Sequence, residues 1–479
     1  MIKEYVNGRS CAILGLGVSN LPLAKLLCEQ GVQLFIYDKS TPEQLGEDAV
    51  RLAEAGAKFF VATPDFDGVQ GELIFRSPGI RPDKRGIAAA VRRGAQITSE
   101  AELFLKLSSA KSFGVTGSDG KTTTTTLTGK FLEKHCERVG RGRTYVGGNI
   151  GTPLACECER MTDEDLAVLE LSSFQLMTLS DAPECAAITN VSPNHLDWHT
   201  DMSEYASAKR NIVGERTRRL VTNADNVGAM DLAREICAER DIELVLFSST
   251  KSSHAQIFGG MDKGGVALYV KDSHIVADDG ASAREVLSLG DVKIPGKHNI
   301  ENYMCAIGLT LGYVSPSVYR EVAQSFCGVE HRLELVRTLD GVEYYNSSID
   351  SSPSRTAAAL SALAERSIVL ICGGYDKKIP YAPLAEAICC HGGVHTLVLT
   401  GATADKIERA MRDFIRESGR GADIGIIRRS DFADAVRAAR DRAAEGDAVL
   451  LSPASASFDA FKNFEERGET FRRIVNSFS

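Results

Sequence analysis

Short apolar runs recur along this chain, most of them closed by a loop rich in glycine or serine and followed by a segment of helical spacing. Strands that alternate with helices in this way build parallel sheets with helices on both faces. Ligands of such sheets bind beyond the carboxyl ends of the strands, so the loops after the strands are where chemistry is expected. The expected class is α/β.

The 479 residues divide into three blocks, in line with roughly 100–200 residues per domain. The first, 1–108, opens with a βαβ unit. The strand Ser10–Leu14 meets the turn Gly15-Leu16-Gly17-Val18-Ser19-Asn20, a helix over Leu21–Gln30 stops at Gly31, and the strand Val32–Tyr37 ends in Asp38. A further strand, Glu72–Phe75, runs into Arg76-Ser77-Pro78-Gly79. The second block, 109–327, has strands at Ser112–Val115, Ala167–Leu171, Ala186–Thr189, Arg219–Thr222 and Glu243–Phe247. Its alternating runs at 266–276, with Gly and Asp turns, predict a small hairpin appendage. The third block, 328–479, has strands at Ser367–Ile371, Thr396–Leu399 and Asp447–Leu451. The architecture expected is a Rossmann-like N-terminal domain, a central sheet like that of P-loop ATPases, and a Rossmann-like C-terminal domain.

The strongest local signal is Val115-Thr116-Gly117-Ser118-Asp119-Gly120-Lys121-Thr122, between a strand and a helix. Glycines let the backbone wrap a polyphosphate, and the helix N-terminus adds amide donors and the positive end of its dipole. Lys121 can reach the β- and γ-phosphates, and the Thr122 hydroxyl can ligate Mg²⁺. The general phosphate-loop pattern has Gly where Val115 stands. Asp119 reads as a turn former. Glu170 ends an apolar strand, where a carboxylate is costly unless paired or metal-bound, so it is a candidate Mg²⁺ ligand. His195, in Ser192-Pro193-Asn194-His195-Leu196-Asp197, stands after a strand and could bind metal or move protons. His199 lies four residues on, but the acidic element of a zinc protease is missing. Lys209 on its own reads as a surface lysine. The Gly15–Asn20 turn has Asn20 where a dinucleotide fingerprint has its third Gly, so with Asp38 it suggests a nucleotide-diphosphate pocket more than a dehydrogenase.

The formal net charge of −9, and the lack of a basic stretch longer than Arg216–Arg219, argue against nucleic acid as a partner. No apolar run approaches membrane-spanning length, and the N-terminus has no signal-peptide pattern. Twelve scattered cysteines then read as reduced thiols of a cytoplasmic protein, Cys156 and Cys158 forming a Cys-x-Cys pair.

The order and spacing of these motifs resemble the Mur ligases over nearly the whole chain. The residues that carry the resemblance are Thr116–Thr122, Gly147-Gly148-Asn149-Ile150-Gly151, Leu169–Leu176, Ser192–Asp197, Pro295-Gly296-Lys297-His298-Asn299 and His331-Arg332. The run Leu451–Asp459, with Phe461-Lys462-Asn463-Phe464, is most similar to the branch that adds D-glutamate. The resemblance implies a cytoplasmic, ATP-dependent ligase that joins D-glutamate to UDP-N-acetylmuramoyl-L-alanine through an acyl phosphate, in cell-wall precursor synthesis, and acts as a monomer. It implies ATP contacts from Gly117, Ser118, Asp119, Gly120, Lys121, Thr122 and Thr123, adenine contacts from Asn299 and Asn302, and a phosphate contact from Arg332. Thr122 and Glu170 would hold one Mg²⁺ and His195 a second, with Lys209 joining the metal shell after carbamylation by CO₂. Gly17, Val18, Ser19, Asp38 and Ser77 would meet the UDP part, Asn149 and Gln175 the sugar–peptide part, and Lys377, Ser351, Ser457 and Phe464 the acceptor.

One stretch departs from the family pattern. In Tyr345–Thr356, Ser347 stands at the place of the usual Asp and Ile349 at that of the usual Lys, leaving Arg355 or Lys378 to supply positive charge near the acceptor. The same chemistry with L-glutamate is therefore an alternative acceptor assignment. Folylpolyglutamate synthetases share the ATP core but lack the Gly15–Asp38 domain. A nucleotide-gated binding protein would not need Glu170, His195 and Lys209 together.

Overall fold

The computed structural model describes every residue except Val18, Asp197 and Asp262. It divides into two compact units, one of Met1–Asp291 with Lys297–Ala323 and the other of Val292–Gly296 with Gln324–Ser479.

The first unit holds two sheets. Strands β1 (Cys11–Leu14), β2 (Leu34–Asp38), β3 (Lys58–Val61), β4 (Leu73–Arg76) and β5 (Gln96–Thr98) make an all-parallel sheet in the order β3-β2-β1-β4-β5. The two central strands, β1 and β4, are buried throughout, as a sheet covered on both faces requires. The order reverses between β1 and β4, so the loops after them flank one crevice. Strands β3 and β5 have no counterpart among the expected elements. They are short edge strands with mostly exposed or half-exposed side chains, and they carry no buried stripe to read.

The second sheet has nine strands. Strands β6 (Lys111–Thr116), β7 (Thr144–Gly148), β8 (Leu166–Glu170), β9 (Cys185–Ile188), β10 (Arg219–Asn223) and β11 (Glu243–Ser248) form its parallel part, and β12 (Val266–Lys271), β13 (His274–Asp278) and β14 (Ala283–Ser288) complete it. The order is β14-β13-β12-β11-β10-β9-β6-β8-β7. The predicted hairpin is present as the antiparallel pair β12–β13, but it is not a separate appendage. Its two strands belong to a three-stranded antiparallel meander, and β12 pairs in parallel with β11, so the meander continues the main sheet. A lone hairpin is marginal in water, and joining the sheet buries Ala267, Leu268 and Tyr269.

The second unit contains β15 (Glu334–Leu339), β16 (Val342–Asn346), β17 (Ser367–Gly373), β18 (Val394–Thr400), β19 (Gly425–Arg428) and β20 (Asp447–Leu451), in the order β15-β16-β20-β17-β18-β19. All neighbours are parallel except the antiparallel pair β15–β16. Two apolar cores lie on its opposite faces, one around Leu370 and Leu384, the other around Val369 and Phe471. Among the described residues no helix is long and apolar enough to cross a membrane.

Candidate active site

Strand β6 runs straight into the glycine loop, and a helix starts at Lys121 and continues to Val139. Gly117 has φ of 150° and Gly120 of 80°. A Cβ on Gly117 would lie 1.8 Å from Thr189 Oγ1, and one on Gly120 would lie 2.3 Å from Asn302 Oδ1. No L side chain fits at either place. The first turn of a helix after a strand is a favourable place for an anion. Lys121 Nζ donates to the carbonyls of Gly117 (2.9 Å) and Ser118 (3.0 Å), which holds the ammonium over the loop. Gly117→Ala is expected to cut ATP-dependent turnover by at least about a hundredfold, the scale of losing a preorganised anion site. A turnover assay beside a thermal melt checks this.

Ser118 and Asp119, expected as ATP contacts, are fastened to the scaffold. Ser118 Oγ donates to Ser192 O, accepts from Ser192 N–H, and hydrogen-bonds the Tyr205 hydroxyl at 2.8 Å. The Asp119 N–H donates to Asn190 Oδ1, and its carbonyl accepts from Thr189 Oγ1 and Asn190 Nδ2. Thr122 and Thr123 occupy the first helical turn. Asn302 accepts from Thr124 Oγ1 and donates to Asn299 Oδ1, so both asparagines stand against the start of this helix.

Glu170 ends β8 and is 2% exposed. Its Oε1 accepts from Asn149 Nδ2 at 2.7 Å, while Oε2 is buried with no hydrogen-bond partner. A buried carboxylate oxygen left unpaired is costly, and a divalent cation would satisfy it. Asn149, expected at the sugar–peptide part, thus holds Glu170 in place. Among the described residues no three His, Cys, Asp or Glu side chains cluster as a metal cage. Mg²⁺ is commonly held by one or two carboxylates plus substrate phosphates and water, and Glu170 beside the phosphate loop fits that pattern.

His195 is exposed and adopts φ of 55°, in the left-handed region that histidine, like asparagine and aspartate, enters more often than other side chains. Its carbonyl caps a tight turn by accepting the N–H groups of Trp198 and His199, and its ring meets Phe174 edge-on at 5.0 Å. Lys209, which alone reads as a surface residue, is 1% exposed. Its Nζ donates to Gly117 O at 2.7 Å and sits 4.3 Å from the centre of the Tyr205 ring. Burial first, and the nearby Lys121 charge second, push its pKa well below that of an ordinary lysine.

In the first sheet, Gly17 and Ser19 sit in the turn after β1, and Ser77 in the loop after β4, where its N–H donates to Leu14 O. Val18 lies outside the described residues, as does Asp197 of the His195 motif. Asp38 binds backbone through both oxygens, Oδ2 accepting from Leu16 N–H at 2.8 Å and Oδ1 from Ser40 N–H. Asn20, at the place of the fingerprint's third glycine, donates to Gly15 O at 2.9 Å and closes the turn. Gln175 forms a capping box with Ser172.

In the second unit the expected acceptor residues lie on the loops after three adjacent strands. Ser351 follows β16, Lys377 follows β17 and Ser457 follows β20. Lys377 Nζ lies 3.2 Å from Ser351 Oγ. Ser457 is buried, and the half-buried Phe464 starts the last helix, with its ring edge-on to His331. Asp350 is buried near the charges of Arg332 and Arg355, and accepts from Ser452 Oγ at 2.8 Å. Burial raises its pKa. Arg355 donates to Ile349 O, and Lys378 is exposed with φ of 58°.

Several structuring residues escaped the sequence reading. Arg467 is 2% exposed and donates to Ser348 Oγ, Ser348 O, Ser455 O and Ala456 O, so it fastens the loop after β16 to the loop after β20. Arg76, 1% exposed, ties Pro78 O and Ile80 O to Phe174 O of the neighbouring sheet's helix. Burial lowers the pKa of each to about 10. The one local signal for Arg76 is a charge closing the otherwise apolar run Leu73-Ile74-Phe75.

Two family models match this chain. The Mur ligase middle domain covers residues 115–310, and the Mur ligase glutamate ligase domain covers 331–455. The UDP-N-acetylmuramoylalanine–D-glutamate ligases of Ruminiclostridium cellulolyticum and Acetivibrio thermocellus are each 43% identical, over 99% of this chain and 98% of theirs. The UDP-N-acetylmuramate–alanine ligase of Thermotoga maritima shares the fold, with a TM-score of 0.55 at 18% identity over 98% of this chain and 99% of that one. A UDP-N-acetylmuramoyl-L-alanyl-D-glutamate–2,6-diaminopimelate ligase matches with a TM-score of 0.52 at 15% identity, over 93% of each chain. The chain belongs to the Mur ligase family. It is an ATP-dependent enzyme that forms amide bonds, in a family that uses ATP and Mg²⁺.

Proposed function

We propose that this ligase joins the amino group of D-glutamate to the carboxylate of UDP-N-acetylmuramoyl-L-alanine, as a cytoplasmic monomer. The observation that carries the acceptor assignment is the 43% identity, end to end, with D-glutamate ligases. Residues 1–108 would receive the UDP part, 109–327 ATP, and 328–479 the acceptor.

The chemistry is the one the family resemblance implies, and the residues present fit it. A substrate carboxylate oxygen attacks the γ-phosphorus of ATP, ADP leaves, and an acyl phosphate forms. The acceptor nitrogen attacks the acyl carbon, loses a proton, and inorganic phosphate departs. Phosphoryl transfer needs positioning and charge neutralisation more than covalent help. The Lys121 ammonium and the amides at the helix start meet the phosphate charge. Mg²⁺, when bound, neutralises phosphate oxygens, and Glu170 with Thr122 would hold it, with His195 serving a second ion. Lys209 in neutral form is a nucleophile for CO₂. Its nitrogen would form one bond to carbon and release one proton, and the anionic carbamate would sit beside Gly117. Lys377 supplies a point charge for the acceptor carboxylate.

The test is ATP-dependent phosphate release with UDP-N-acetylmuramoyl-L-alanine, scanning D-Glu, L-Glu, D-Asp, L-Ala and L-Lys. Release with D-Glu alone is expected. Release with L-Glu instead would keep the ligation and move the specificity, and Ser347, Ile349 and Asp350 would then be the first positions to exchange.

A further inference from the structure

The loop after β4 and the helix Met202–Arg210 meet at the carboxylate of Glu204. Arg81 Nη2 donates to its Oε1 at 2.9 Å and Arg81 Nη1 to its Oε2 at 3.1 Å. The same Oε2 takes the Thr200 N–H at 2.9 Å and lies 3.2 Å from His199 Nδ1. The Arg81 hydrogen bonds, ahead of the other contacts, bring the Glu204 pKa down to about 2, so the group is ionised across the working range. Its side chain is 22% exposed and that of Arg81 18%, so the pair is largely shielded from water and salt.

The position of Glu204 makes this pairing unusual. It is the third residue of the helix Met202–Arg210, whose N-cap is Asp201. A glutamate there ordinarily turns back to the N-cap amide. Here Asp201 caps the helix by accepting the Glu204 N–H, and the Glu204 side chain reaches outward to Arg81. Arg81 is held by more than this. It donates to Trp198 O at 2.6 Å, pairs with Asp83, and lies 5.1 Å from the centre of the Trp198 ring. The Trp198 indole N–H donates to Gly79 O, and its ring packs on Phe174.

His199 extends the network inward. The ionised Glu204 takes its Nδ1–H, leaving Nε2 to accept from Ser173 Oγ at 2.9 Å. Serine, histidine and carboxylate stand in the order of a hydrolase triad. Ser173 is only 3% exposed, however, and it opens the buried turn Ser173–Leu176, where no substrate reaches it. Its partner is the scaffold. The turn it opens carries Gln175, and the other end of the network is the helix that carries Lys209.

We propose that Glu204, with Arg81 and His199, is a positioning group for ligation, locking the precursor-side loop Ser77–Arg81 onto the helix that presents Lys209. This rests on the function proposed above. The lock sets the distance between the precursor carboxylate and the metal-side residues, while the glycine loop, which touches the same helix through Tyr205 and Lys209, is also fastened independently to Asn190 and Ser192.

The experiment is a double-mutant cycle of Glu204→Gln and Arg81→Gln, read as kcat, the KM of each substrate and the melting temperature. Either change is expected to lower kcat by about tenfold or more, the scale seen for outer-shell partners of metal ligands. The KM for UDP-N-acetylmuramoyl-L-alanine should rise and the KM for ATP stay within about twofold, because the glycine loop keeps its own ties to Asn190 and Ser192. The double variant should lose no more than the worse single one, since both remove one interaction. Arg81→Lys should not restore the rate, since it loses the fork that binds both carboxylate oxygens. It also stands in for Arg81→Gln should that variant fail to fold. Losses that multiply, or melting shifts with kcat and all KM values unchanged, would overturn the proposal. Hydrogen exchange over 76–83 and 202–210 reads the lock without turnover, and faster exchange in both segments of Glu204→Gln is expected. Unchanged exchange in both segments would also overturn it. A wild-type enzyme that turns over no precursor would refute the proposed function, leaving the exchange result to judge the lock by itself.

Discussion

Glu170→Gln is expected to reduce ATP-dependent phosphate release by at least about a hundredfold while leaving the protein as stable as before, or more so. The two halves of this expectation come from the same atoms. Glutamine keeps the shape of the side chain and an oxygen to accept from Asn149 Nδ2. It removes a negative charge from a residue that is 2% exposed and whose Oε2 has no hydrogen-bond partner. A buried charge with one oxygen unpaired works against folding, so a purely structural Glu170 should be replaced at a gain. A Glu170 that exists to hold Mg²⁺ against phosphate charge should be irreplaceable for turnover, since lost preorganised charge stabilisation costs about 10²–10³ in rate. Phosphate release across a range of Mg²⁺ concentrations, paired with a thermal melt, separates the two roles. Near-normal turnover at ordinary Mg²⁺ would contradict the metal role, and a large fall in melting temperature would contradict the balance of charge and stability.

What could be read from the sequence divides by how local the cause is. The loop Gly117–Thr122 and the end-of-strand Glu170 announce themselves, because a strand, a turn and a helix start are specified by neighbouring residues. Strands β1, β6, β9, β11 and β20 are also visible, as short apolar runs buried on both faces. Strands β3, β5 and β19 are not, because edge strands bury too little to leave a pattern. Lys209 illustrates the opposite limit. Its sequence neighbours are those of a surface helix, and its burial depends on Gly117 and Tyr205 folding over it. Arg81 and Glu204 lie 123 residues apart, and no periodicity connects them. Glu204 even sits where the local rule for helix starts assigns it another partner. Ser118 and Asp119 carry contacts that the motif does not announce, because both also hold the loop's shape against Asn190 and Ser192.

Lys209→Met is expected to abolish turnover, by at least about a hundredfold on the scale of a lost preorganised charge, without unfolding the enzyme. Methionine is unbranched and adaptable enough to fill the space beside Tyr205. The stability side follows from the sign of the lysine's shift. Burial lowers its folded pKa well below the ordinary value, so between those two values the unfolded chain binds the extra proton. Stability then rises with pH through that window, and the cost of burying Lys209 is greatest at the acid end. Methionine removes that pH-dependent cost, so the variant should gain stability relative to wild type as pH falls towards neutrality. It also loses the hydrogen bond to Gly117 O, which offsets part of the gain. For activity, the proposed carbamate predicts two further results. Wild-type turnover should depend on dissolved CO₂, because the neutral amine must capture it. Lys209→Ala, which leaves space beside Gly117, should recover part of its rate when formate or acetate is added, because a small carboxylate can occupy the place of the carbamate. If rescue fails and CO₂ depletion leaves wild-type turnover unchanged, Lys209 acts as an amine donating to Gly117 O, and its task is to hold the glycine loop in register with the helix Met202–Arg210.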